Sequence, residues 1–168
     1  MAGFVDIHAH GGGDSDFMDE DASAFPTIAK AHCAHGTTAL CPTTMTCADS
    51  LLEKTIDLFL EADKEPENGA ELLGLHLEGP YFSAASKGAQ PIGEQRIPER
   101  EDLERILRRA KGSILRWDAA PELPNMELFA KVMAENGVLT SLAHSAATAP
   151  EALRAFDWGF SHVTHFYN

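Results

Sequence analysis

His8 and His10 stand two residues apart in an apolar stretch, the spacing that puts two side chains on one face of a β-strand. Two imidazoles on one strand face have few apolar reasons to be there. They have a good one as ligands for a borderline divalent metal such as Zn²⁺ or Fe²⁺. Alone the pair is a weak signal, because chance pairs are common in a chain with eight histidines. Glu78, His144 and His165 strengthen it: each falls at or just past the end of an apolar run, and the three runs are far apart in sequence. A buried glutamate is costly unless paired or coordinated, and a metal removes that cost while giving carboxylate and imidazoles a shared role. Any one of these residues is explained equally well as a loop polar group or a hydrogen-bonded core histidine. Five together at strand ends make coincidence the weaker explanation.

The remaining candidates read differently. His32 and His35 fall on the last turn of a predicted helix, where imidazolium suits the negative helix end, and are expected at the surface. His76 shares a strand face with Glu78, a place from which it could orient the site. His162 precedes His165 by three and is expected to pack against a helix, as are Val5 and Ile7, which face away from the histidine pair. Arg105, Arg108, Arg109 and Lys111 have helical spacing and read as a solvated face. Cys33, Cys41 and Cys47 form no CxxC pair and read as reduced, small apolar residues of a cytoplasmic protein.

The elements that must position these groups alternate along the chain. Apolar runs at 3–7, 37–42, 72–77, 114–120, 138–143 and 162–166 read as strands. Helical patterns are predicted over 22–34, from Asp49 or Ser50 to about residue 61, and over 98–111, 125–136 and 149–158; glycines follow at Gly36, Gly112, Gly137 and Gly159. The stretch 81–97, rich in Ser, Gly, Gln and Pro, is long for a plain connection and reads as a functional loop. Strands apolar on both faces alternating with helices argue for a parallel sheet covered by helices. Every strand but the second ends in unusual chemistry: His8 and His10, Glu78, Glu122, His144, His165. Polar groups at the C-terminal ends of successive strands converge on one point in a (β/α)8 barrel. The fold class expected is therefore α/β, a partial barrel of six βα units in one incomplete domain over 1–168, against the roughly 250 residues of a closed barrel.

Composition narrows the function. With 26 acidic against 13 basic residues the net charge is −13, which argues against nucleic-acid or anionic-membrane partners. An anionic substrate would need local donors. No apolar run reaches membrane-spanning length, and the first residues lack the basic and apolar regions of a signal peptide.

The motifs FVDIHAHGGGDSDFMD, LLGLHLEGPYFSAASKGAQ, AAPE and HVTHFYN together resemble the N-acetylglucosamine-6-phosphate deacetylases of the amidohydrolase superfamily, in order and across the whole chain. The resemblance implies that Glu78, His144 and His165 hold the main metal, Zn or Fe. It implies that His8 and His10 hold a second ion with the glutamate bridging, and that Ala89, Gln90 and Asn168 contact the sugar. The implied reaction is metal-dependent deacetylation of N-acetylglucosamine 6-phosphate to glucosamine 6-phosphate and acetate, by a cytoplasmic homodimer of amino-sugar catabolism. An aspartate would act as general base and then acid. That residue is expected after the eighth strand, beyond Asn168, so no catalytic residue is assigned within the chain. The small β-sandwich that the resemblance implies before the barrel is not expected within this chain either. Two alternatives stand: another amidohydrolase activity, against which the KGAQ loop and the lack of a bridging lysine at Ala119-Ala120-Pro121-Glu122 speak, and a non-catalytic metal-binding remnant. Protein shown by mass to end at Asn168 is expected to have little or no deacetylase activity; turnover by it that disappears with a chelator would contradict this.

Overall fold

The structure, a computed structural model, describes residues 2–91 and 93–167; Asn168, expected to contact the sugar, lies outside the described residues. The chain divides into two units. One comprises the residues up to Thr44 with Ala48–His76, the other Met45–Cys47 with the residues from Leu77 on.

The first unit opens with β1 (Phe4–Ala9), which carries His8 with His10 one residue past its end, and a small antiparallel hairpin, β2 (Gly11–Gly12) with β3 (Ser15–Asp16). Helix α1 (Ala24–Ala34) buries Ala24, Phe25, Ile28 and Ala29, a face set by three- and four-residue spacing. Strand β4 (Thr37–Thr44) runs parallel to β1, pairing Asp6 with Leu40 and Ala9 with Pro42. Helix α2 (Asp49–Glu61) buries Leu52, Thr55, Ile56, Leu58 and Phe59, and Phe25 sits between Phe17 and Phe59, at 5.3 and 6.1 Å between ring centres. The single strand expected over 72–77 is two: β5 (Glu71–Leu72), parallel to β4, and β6 (Leu75–Glu78). The break falls at Gly74, whose φ of 155° is a backbone conformation that side chains rarely adopt.

Val5 and Ile7 are 59% and 49% exposed, which corrects the expectation that a helix covers them. The first helix lies instead on β4 and on the β2–β3 hairpin. Alternation along a strand tells which residues share a face, but not which strand a helix will cover.

The second unit takes β6 into its own strand order, β6-β7-β8-β9, with β7 (Ile114–Ala119), β8 (Leu139–Leu142) and β9 (His162–Val163) parallel. Trp117 opposes Thr140, and Ser141 opposes His162. Its helices are α3 (Arg100–Ala110), α4 (Met126–Glu135) and α5 (Ala149–Trp158). The Arg-rich face expected to be solvated is α3, where Arg105 meets Asp102 and Arg108 meets Glu104 at the surface. Helix α5 starts in a capping box between Thr148 and Glu151 with Pro150 in its first turn, and ends at Gly159 in the left-handed region. The core is aromatic: Trp117 and Phe129 have no exposed surface, their rings are 5.8 Å apart, and Tyr81 packs against both. No described helix is long and apolar enough to cross a membrane.

One core contact bears directly on the site. The Trp117 indole N–H donates to the Gly79 carbonyl at 2.8 Å, tying β7 to the residue after Glu78. Trp117→Phe leaves that carbonyl without its donor in a buried place. A loss of roughly 1–3 kcal/mol from the unpaired group is expected, with more from the space left behind; urea unfolding of the variant measures it.

Candidate metal centre

Three strand ends of the second unit bring Glu78, His144 and His165 together. Glu78 is the last residue of β6, His144 lies two residues past β8, and His165 two past β9. The Oε1 atom of Glu78 is 3.0 Å from Nε2 of His144 and 3.1 Å from Nε2 of His165. The carboxylate is buried at 2% exposure, whereas the His165 side chain is 30% exposed. The three groups thus run from the protein interior to a cavity of about 460 Å³ lined by Ser86, Gly88, His144, Ser145, Thr164 and His165, within the range of small-molecule sites.

The two histidines depart from regular backbone. Their φ values are 45° and 52°, in the left-handed region that costs a non-glycine residue on the order of 1–3 kcal/mol. Local hydrogen bonds hold the first of these turns. The Ser83 N–H donates to the His144 carbonyl at 3.0 Å. Glu122 accepts from the Ser145 hydroxyl at 2.7 Å and from the Ala146 N–H at 2.6 Å. The strand-end glutamate that the sequence singled out without a role is therefore a clamp on the turn that carries His144. Glycine suits position 88 on two counts: its φ is 56°, and a Cβ there would make a tight 3.3 Å contact with Cε1 of His144.

The hydrogen-bond inventory defines the electrostatics. The Nδ1–H of His144 faces the Ser86 carbonyl at 3.1 Å, which leaves the lone pair of Nε2 directed at Glu78. A neutral imidazole so arranged presents an acceptor to an acceptor, so the pair needs a positive species between them, a proton or a metal ion. Without metal the proton takes that place. The Glu78 carboxylate accepting from the ring holds the His144 pKa above the ordinary 6.5; burial pulls the other way, and the charge of Glu78, the Ser86 carbonyl and Asp118 add to the rise. The separations also suit a metal. Bonds of about 2.0–2.2 Å in a tetrahedron put ligand atoms roughly 3.3–3.6 Å apart, a few tenths of an ångström beyond what is seen. The donor set, one carboxylate oxygen and two imidazole nitrogens, matches an open Zn²⁺ or Fe²⁺ site.

The other expected ligands lie in the first unit. Nε2 of His8 and Nε2 of His10 are 3.2 Å apart, within reach of one ion. Nδ1 of His10 faces the Thr43 carbonyl at 3.2 Å. His76, fully buried, stacks edge-on to His8 at 4.9 Å, with Nδ1 3.3 Å from the Thr43 hydroxyl. Of the residues expected at the sugar, Ala89 is exposed and Gln90 is buried. The contacts of Gln90 were missed in sequence: its side-chain N–H donates to Oε2 of Glu78 at 2.9 Å, and its carbonyl accepts from the Thr46 N–H at 2.8 Å. Residues 12 and 44 positions apart leave no local pattern that would reveal these bonds.

Comparison with known proteins places this geometry in a class. The chain belongs to the amidohydrolase family, whose profile matches residues 1–168. Its fold class is the α/β, partial (β/α)8 barrel of that family, and a divalent metal is general among members. Among its relatives are N-acetylglucosamine-6-phosphate deacetylases. That of Lysinibacillus sphaericus is 33% identical over 175 residues, covering 100% of this chain and 43% of the relative. An N-acetylgalactosamine-6-phosphate deacetylase of Escherichia coli O157:H7 is 30% identical, over 98% of this chain and 44% of its own. The crystal structure of the Pasteurella multocida N-acetylglucosamine-6-phosphate deacetylase superposes with a TM-score of 0.89 at 30% identity, over 99% of this chain and 43% of that one. A Mycobacterium smegmatis N-acetyl-D-glucosamine-6-phosphate deacetylase mutant, in complex with N-acetyl-D-glucosamine-6-phosphate, gives 0.91 at 28%, over 99% and 42%. The chain spans less than half the length of these relatives.

The raised pKa of His144 has a defined sign. Its contribution to stability is complete below 6.5 and is lost as pH rises through the higher folded value. In metal-free protein the His144 ring is expected to titrate above 6.5 by NMR and to fall toward that value in Glu78→Gln; an unchanged titration would contradict the contact.

Proposed function

We propose that this chain carries the metal-holding residues of an enzyme that hydrolyses N-acetylglucosamine 6-phosphate to glucosamine 6-phosphate and acetate. The single observation that carries the reading is the meeting of Glu78 Oε1 with the two imidazole nitrogens at 3.0 and 3.1 Å beside an open cavity. Glu78, His144 and His165 are the ligands of one Zn²⁺ or Fe²⁺, and His8 with His10 serve a second ion. When bound, the cation supplies the Lewis acidity that polarises the acetyl carbonyl and makes water a competent nucleophile near neutral pH.

The residues of the chain do the rest. The Ser86 carbonyl fixes the tautomer of His144 so that Nε2 carries the lone pair. Burial of Glu78 lowers the screening around its carboxylate and so strengthens its attraction for a cation. Glu122 holds the His144 turn against its strain. Ala89, beside the cavity-lining Gly88, and Asn168 are the proposed sugar contacts. Gln90, next in the chain to Ala89, is proposed to join them. The −13 charge of the chain repels a sugar phosphate, so the phosphate must be met by placed donors and not by a general positive field. A homodimer in cytoplasmic amino-sugar catabolism completes the proposal; what supports it is the likeness to the deacetylases named above.

The test is acetate release by the native gene product. Activity is expected to vanish with a chelator and return with Zn²⁺ or Fe²⁺. Glu78→Gln and His144→Ala should each lower it by more than the roughly 10–100-fold that loss of a supporting contact costs. N-acetylgalactosamine 6-phosphate is the comparison substrate, and a preference for it would overturn the choice of sugar. Because the proton on His144 and the metal compete for Nε2, metal affinity should fall by about tenfold per pH unit below the raised pKa. Activity that survives the chelator and both substitutions would refute the reading.

A further inference from the structure

Building on that metal centre, we infer that Gln90 is a positioning residue that locks the Glu78 carboxylate so that it offers a single oxygen to the cation. The terminal torsion of a glutamate is broad and close to two-fold, so a carboxylate without other contacts can present either oxygen, or both, to a metal. Here the side-chain N–H of Gln90 donates to Oε2 of Glu78 at 2.9 Å while Oε1 faces the two imidazoles.

The direction of that bond is set by chemistry on both sides. The Thr46 N–H, 2.8 Å from Oε1 of Gln90, can only donate, so the Gln90 carbonyl must face it. The amide nitrogen must then face Glu78, which when ionised can only accept. Gln90 is 2% exposed, and an amide at that depth is costly unless both ends are paired.

The backbone that carries Gln90 is itself held. Its N–H donates to the Lys87 carbonyl at 3.0 Å, and the Lys87 ammonium donates to the carbonyls of Gly88 and Gln90, each at 3.2 Å. The same turn supplies the Ser86 carbonyl to His144. One short loop therefore orients two metal ligands, the carboxylate from its far end and the imidazole from its near end. Freed from Gln90, Oε2 could join Oε1 on the ion, raise the coordination number and take a position needed by water or substrate.

Cobalt reports this directly, because four-coordinate Co²⁺ absorbs strongly in the visible and higher-coordinate Co²⁺ weakly. The full chain, Gln90→Met, Gln90→Asn and Glu78→Gln are titrated with Co²⁺ alone, and the melting temperature of each is measured without metal. Methionine keeps the volume and removes both hydrogen bonds; asparagine keeps the amide but is one methylene too short to span from Thr46 to Glu78. Both Gln90 variants are expected to fold, to bind Co²⁺ roughly 10–100-fold more weakly, and to lose visible intensity. A folded Gln90 variant with the affinity and spectrum of the unchanged protein would overturn the inference. So would failure of both to fold, since Gln90 would then be a core residue and not a positioning one. If Glu78→Gln loses Co²⁺ and the Gln90 variants do not, only the role of Gln90 fails. If the unchanged chain binds no Co²⁺, or Glu78→Gln binds it equally well, the metal centre fails and the role of Gln90 with it.

Discussion

A buried carboxylate oxygen facing two imidazole nitrogens is the constraint on which the second unit depends. Oε1 of Glu78 has His144 and His165 within 3.1 Å, and the remaining N–H of His144 is committed to the Ser86 carbonyl. In the neutral ring the His144 lone pair would therefore point at the carboxylate. The pair is favourable only with a proton or a metal ion between its members. A core selected for stability alone would put apolar side chains at these three strand ends, as it does at Trp117 and Phe129 on the covered side. The departure from that rule is where function is expected to be found.

Much of the surrounding structure keeps this cluster in place. Both histidines have positive φ, and the turn that bears His144 is held from outside by Ser83 and Glu122. Gly79, at φ 101° directly after Glu78, leaves no room for a Cβ against the Thr46 hydroxyl. Its carbonyl is anchored by Trp117, so the aromatic core and the carboxylate are joined through one peptide unit. Rigid elements set the strand ends, and short loops then aim the ligands, a division of labour common in catalytic α/β folds.

The sequence made a large part of this legible. The triad was readable because each member ends an apolar run, and a run that stops at a charged or imidazole side chain is visible without coordinates. The helices follow their apolar spacing and closing glycines closely: α5 spans Ala149–Trp158 as expected, and α1 and α4 start or end one or two residues inside their expected bounds. What escaped were relations between distant residues. Nothing local distinguishes Gln90 from a solvent-facing loop amide, because its partners Thr46 and Glu78 reach it through the fold. The exposed Val5 and Ile7 were misjudged because pattern alone does not say where the first helix comes to rest. The strand that was to carry His165 ends at Val163, since beyond it the backbone turns to aim the ring.

The most direct measurement is X-ray absorption at the metal edge of protein loaded with one equivalent of Zn²⁺. One carboxylate oxygen and two imidazole nitrogens at about 2.0–2.2 Å are expected, with the imidazole scattering reduced in His144→Ala and the oxygen shell altered in Glu78→Gln. A first shell without imidazole, or one indifferent to both substitutions, would mean that Glu78, His144 and His165 do not share an ion.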